Sequence, residues 1–104
     1  MSRQEELILL SAHYLDKKSC LIHIREYLIE STRTEWSISS VYVPLNRLEK
    51  LGYLKTELGD PSSKRGGKAI KYYFLTKLGE KALSEIKAIQ DLMWKNAGSL
   101  IPTR

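Results

Sequence analysis

The sequence predicts an α+β fold that is mainly helical. Three observations point there. Apolar residues recur at three- and four-residue steps through the first half, a β-branched and aromatic run follows a glycine-rich basic stretch, and a second long helical period closes the chain. The 104 residues, 42% hydrophobic and 28% charged, suit one globular unit. A chain of this size buries a modest core, which leaves room for stabilisation by self-association.

A first helix is expected over Glu5 to Lys17, with Leu7, Leu10, Tyr14 and Leu15 at helical spacing and Glu5 and Glu6 in the first turn, where the helix dipole favours acids. A second follows over Cys20 to Glu30, capped by Ser19, with Leu21, Ile24, Leu28 and Ile29 on one stripe. The polar stretch Ser31 to Glu35 reads as a loop that ends on Trp36, an anchor on the core. A third helix is predicted from a cap at Ser39 or Ser40, with Val41, Leu45, Leu48 and Leu51 inward and Gly52 closing it. Pro44 then falls early in that helix, where a missing N–H does least harm.

Tyr53 to Leu58 and Ala69 to Leu75 are predicted strands, the second with Ile70, Tyr72 and Phe74 alternating with Lys71 and Tyr73. Turn-forming residues 59–68 join them into a hairpin with a basic tip. Thr76 can cap a final helix in which Ala82, Ile86, Ile89 and Met93 mark a coiled-coil seam, before a frayed tail from Asn96. That seam suggests a second subunit as its cover. Residues 1–75 are therefore expected as a binding domain and residues 76–104 as a C-terminal dimerisation helix with a short tail.

The net charge of +5 is unevenly distributed. Residues 1–52 are neutral, whereas residues 53–75 hold five basic and two acidic groups. A localised excess of this kind suits a polyanion. No apolar run approaches the ~20 residues of a membrane span, and the N-terminus lacks the pattern of a secretory leader, so a cytoplasmic protein is expected with no membrane partner. Cys20, the single cysteine, excludes an internal disulfide. The only histidines, His13 and His23, lie in predicted helices without a nucleophile, metal cluster or phosphate loop beside them. The chain does not read as an enzyme, and no metal or cofactor is expected.

Three helices, a basic hairpin and a terminal helix, in that order, make the winged helix-turn-helix plan. In that plan the third helix enters the DNA major groove and presents its N-terminal half to base edges. Ser39, Ser40, Tyr42, Asn46 and Arg47 are thus candidate contacts, the two serines being equally able to act only as caps. Lys64, Arg65, Lys68 and Lys71 on the hairpin are candidate backbone contacts, since nearby glycines allow close approach to a sugar-phosphate chain.

The stretches Val41 to Leu54 and Gly67 to Gly79 resemble the PadR family of bacterial transcriptional regulators, and the likeness spans roughly residues 5–95. The resemblance implies a homodimeric repressor on a palindromic operator, a recognition helix beginning near Tyr42, wing contacts from Lys68 and Lys71, and a C-terminal helix exchanging contacts with its partner through Ala82, Ile86, Ile89 and Met93. It further places the chain in the small subfamily, with a single C-terminal helix and nothing expected beyond residue 104. Two departures stand out: Pro44 lies one residue later than the family's usual proline, and Phe74 replaces an arginine. Some relatives bind small aromatic effectors at the dimer interface, and Trp36, Met93 and Trp94 are candidates to line such a pocket. The competing reading is a winged-helix protein-interaction module without specific DNA binding, which would have no need of a basic wing.

Overall fold

The computed structural model describes residues 1–59 and 69–99. Along them run α1 (Arg3–Leu15), a single 3-10 turn (Asp16–Lys18), α2 (Leu21–Thr32), α3 (Ile38–Lys50), β1 (Leu54–Leu58), β2 (Lys71–Leu75) and α4 (Lys77–Ala97). The predicted α+β, mainly helical class and its order of elements hold. The hairpin tip with Lys64, Arg65 and Lys68 lies outside the described residues, as does the end of the tail.

Helix α1 starts two residues earlier than expected because Ser2 and Glu5 form a capping box: the Glu5 N–H donates to Ser2 Oγ at 3.1 Å and the Ser2 N–H to Glu5 Oε1 at 2.9 Å. Its buried side is also rotated from the expected stripe. Ile8, Leu9 and Ala12 enter the core, while Leu10 and Tyr14 are exposed. The run Leu7 to Leu10 is apolar all round, so periodicity cannot choose the inward face, and packing against α2 and α3 decides it. Tyr14 instead stacks on Tyr27 of α2 at the surface, with ring centroids 4.5 Å apart.

Ser19 does not cap α2. It is fully buried, and its carbonyl accepts the Tyr73 N–H at 2.8 Å while Cys20 bridges antiparallel to Tyr72. The connector between α1 and α2 thereby acts as a fragment of a third strand beside β2. The predicted α2 stripe holds, with Ile24 and Leu28 buried and Leu21 and Ile29 packed at their flanks.

Helix α3 begins earlier than predicted, at Ile38, because Ser37 rather than Ser39 or Ser40 takes the cap and accepts the Ser40 N–H at 3.1 Å. Pro44 consequently sits at the seventh helical position, beyond the first turn, and leaves the Ser40 carbonyl without its usual intrahelical donor. Val41, Leu45 and Leu48 are buried as expected, but Leu51 is exposed. The helix closes on Gly52 at φ 86°, with the Tyr53 N–H on the Leu48 carbonyl and the Gly52 N–H on that of Glu49. Those two bonds make a Schellman motif, which requires a left-handed residue where glycine stands.

β1 and β2 pair antiparallel, with Leu54 opposite Leu75 and Leu58 opposite Lys71. On β2 the buried residue is Tyr73, not its neighbours Tyr72 and Phe74, which are half-buried. The register explains this, because Leu54 emerges from the α3 turn facing the core and its partner Leu75 must share that face, which brings Tyr73 and Lys71 with it.

Thr76 caps α4 as predicted, accepting the Gly79 N–H at 3.1 Å and donating to the Gly52 carbonyl at 2.5 Å. The start of α4 is thus bonded to the end of α3. Gly79 is buried there, and a Cβ on it would collide with the Tyr53 carbonyl oxygen and stand 2.8 Å from Leu75 Cδ2. Gly79→Ala, which would help an exposed helix, is therefore expected to lower stability by about 1–3 kcal/mol, measurable as a lower urea midpoint at constant m-value. An unchanged midpoint would mean that the two elements separate at no cost.

Candidate nucleic-acid interface

At about 100° per residue, Ser39, Val43, Asn46 and Lys50 cluster within ~60° of arc, opposite the buried Val41, Leu45 and Leu48. Tyr42 borders this outward strip on the side of the hairpin, and Ser40 and Arg47 border it on the side of α1. All of these but the half-buried Asn46 are exposed. The structure thus gathers Ser39, Ser40, Tyr42, Asn46 and Arg47 on one surface, with Val43 and Lys50 among them.

Two of the candidate cations have partners within the chain. The Arg47 Nε donates to Glu5 Oε2 at 2.7 Å, which joins the recognition-type helix to the start of α1. Lys71 Nζ lies 3.3 Å from Glu49 Oε1 and 5.5 Å from the centre of the Tyr73 ring, while Thr56 donates to Glu49 Oε2 at 2.9 Å. Glu49 therefore ties both strands to α3. Sequence reading missed Glu5 and Glu49 in these roles because each partner lies in another element, across 42 and 22 residues of chain.

The Ser2 backbone N–H holds the Glu5 carboxyl below its ordinary value near 4.5; burial opposes this, and the Arg47 guanidinium adds to the lowering. A carboxyl depressed in the folded state contributes stability above its unfolded value, and that contribution disappears as pH falls through the folded one. The wild-type chain should lose stability between about pH 5 and 3, and Glu5→Gln should flatten that loss while lowering the neutral-pH value. Denaturant midpoints at pH 7, 4 and 3 test this, and parallel curves for the two proteins would remove Glu5 as the cause. At the hairpin, burial pushes the Tyr73 hydroxyl up, against the opposing charge of Lys71.

The seam residues of α4 emerge progressively from the molecule. Ala82 and Ile86 are half-covered, whereas Ile89 and Met93 are 59% and 64% exposed. Leu92 and Trp94 are exposed beside them. About two-thirds of the way along, the helix is held to α1, where Gln90 Nε2 lies 3.3 Å from both oxygens of Glu6 and Arg3 reaches the same carboxylate.

The three residues considered for an effector pocket do not share a cavity within one chain. Trp36 is 8% exposed, packs in the core and donates from Nε1 to Thr32 Oγ1 at 3.0 Å. Met93 and Trp94 line a separate open hollow with Arg3, Gln90 and Ala97. Among the described residues no cluster of three or more His, Cys, Asp or Glu side chains could hold a metal, and no helix is long and apolar enough to cross a membrane.

No family model and no curated protein matches the chain. Solved structures do. It is similar to the PadR-like transcription factor from Bacteroides fragilis at 26% identity and a TM-score of 0.74, over 89% of this chain and 84% of that one. It is similar to the smu.1704 protein from Streptococcus mutans UA159 at 30% identity and a TM-score of 0.66, over 86% and 77%. The PadR family transcriptional regulator from Eggerthella lenta DSM 2243, at 24% identity and a TM-score of 0.69 over 94% and 83%, adds a further likeness of fold. Among the described residues, four helices and a two-stranded wing in this arrangement make a winged-helix protein of the transcriptional-regulator class. Within that class, the chain is similar to the PadR-like regulators in fold and, at 26% identity to one of them, in sequence.

Proposed function

We propose that the protein is a sequence-specific duplex-DNA-binding regulator that acts in the cytoplasm as a homodimeric repressor. The observation that carries this reading is the outward strip of α3: one exposed helix face bearing Ser39, Tyr42, Val43, Asn46 and Lys50, with the acid of that helix, Glu49, drawn aside to the hairpin. A helix of this character fits the major groove, where hydroxyl, amide and apolar groups meet base edges. The hairpin lies beside it, and its tip, with Lys64, Arg65 and Lys68, is assigned to the sugar-phosphate backbone.

Residues 1–75 form the DNA-binding domain in this reading, and residues 76–104 the dimerisation helix of a small-subfamily member. Ala82, Ile86, Ile89 and Met93 meet their symmetry mates, which places two copies of α3 about 34 Å apart on a palindromic operator. A small aromatic effector would find Met93 and Trp94 at that interface, with Trp36 acting through the core rather than in contact.

Selection of bound sites from a random duplex pool, followed by titration at two salt concentrations, tests the proposal. Enrichment of a two-fold symmetric site, with affinity falling steeply as salt rises, is the expected result. Uniform weak binding to every sequence would overturn it.

A further inference from the structure

We infer that Val43 is a specificity-determining residue of the α3 surface and that it reads the C5-methyl group of a thymine. The inference rests on the DNA-binding reading above and adds to it a particular atom to be recognised.

Val43 is 61% exposed at the middle of the outward strip. Nothing about helix formation calls for valine there, since a β-branched side chain on a solvent-facing helical position lowers intrinsic propensity. Its neighbours on the strip are Ser39 one turn before and Asn46 and Lys50 one and two turns after, so the apolar group sits within a polar frame rather than in an apolar patch. A surface that binds protein by hydrophobic burial would be built the other way round, with an apolar centre several residues wide.

The charges point in the same direction. Guanine is read best by the forked or pointed cation of arginine or lysine. The arginine of this helix, Arg47, is turned to Glu5 at 2.7 Å, and Lys50 stands at the far end of the strip. The groups left at the centre are neutral. An A·T pair presents in the major groove the N6 and N7 of adenine, which suit the carboxamide of Asn46, together with the methyl of thymine, which suits an apolar side chain. Val43 and Asn46 are three residues apart, about 4.5 Å along the helix axis, so both reach one base pair or two adjacent ones.

Uracil differs from thymine only by that methyl and keeps every hydrogen-bonding group, so it isolates the contact. The experiment begins with the duplex site selected by the wild-type protein. Each thymine is then replaced singly by uracil, and binding is measured by fluorescence anisotropy for wild type and for Val43→Ala. We expect one position in each half-site where uracil weakens wild-type binding about fourfold, the factor that one buried methyl group carries. At that position Val43→Ala should show less than half of that weakening, and its thermal midpoint should match wild type because the side chain is exposed. Loss of equal size in both proteins, or no sensitive thymine in a site that is bound selectively, would overturn the inference and leave the DNA-binding reading standing. Absence of any selected site would overturn both, and it would be seen before a single uracil is introduced.

Discussion

On the proposed dimer, Ile89→Asp is expected to convert the pair to monomers and to weaken binding to the selected site by about two orders of magnitude or more. Within the subunit Ile89 has little to lose, being 59% exposed on α4. In a symmetric pair it faces its own copy or a close neighbour, so the substitution brings two carboxylates into an apolar seam with no cation supplied to meet them. The DNA effect follows from linkage. Two recognition helices in one body bind the second half-site at high effective concentration, and a monomer forfeits the resulting factor of roughly 10² to 10⁴. Sedimentation equilibrium gives the oligomeric state and a titration gives the affinity, with Ile89→Leu as the control that should preserve both. Retained dimers with retained affinity would move the subunit contact off this helix face.

The second large effect is expected at Trp36. Trp36→Ala should cost about 3–5 kcal/mol, a substantial part of the 5–15 kcal/mol by which an ordinary domain is stable. The residue ends the turn between α2 and α3, fills the core with its indole, donates to Thr32, and accepts Arg25 Nε on its carbonyl at 2.6 Å. Removing the ring leaves a cavity and also frees the entry to α3. Trp36→Phe keeps most of the volume but loses the indole N–H, and should cost closer to 1 kcal/mol. Chemical denaturation separates the two, and a near-neutral Trp36→Ala would mean that the turn finds another anchor.

Much of this could be read from the sequence because the signals are local. Thr76 and Gly52 announce helix ends by chemistry that acts within four residues, and Val41, Leu45 and Leu48 show a face by their spacing. The capping box of Ser2 and Glu5 was equally local and simply went unread. The start of α3 shifted for a related reason: three serines, Ser37, Ser39 and Ser40, compete for one cap, so composition leaves the choice open until the core fixes the helix phase. The remaining residue of that stretch, Ile38, becomes the first helical position.

Other features are not local and could not be read in that way. The inward face of α1 is set by α2 and α3 rather than by its own apolar run, and the parity of β2 is set by where Leu54 leaves the α3 turn. The ion pairs Arg47–Glu5 and Lys71–Glu49 are matters of tertiary geometry. They bear directly on the candidate interface, since both cations were counted as available to DNA. A phosphate meets either cation with its charge already partly offset by a carboxylate, so charge counts taken along the chain overstate what this surface offers.

The pairing of Ser19 and Cys20 with β2 also has a bearing on how the protein behaves at high concentration. A strand with an open side offers a template on which another copy can polymerise. Here β2 is occupied on both sides, by β1 and by the α1–α2 connector. Among the described residues the remaining open ladder is the outer side of β1, five residues long and carrying Lys55 and Glu57. A stretch so short, with charged groups at alternate positions, is a poor seed for fibrous assembly.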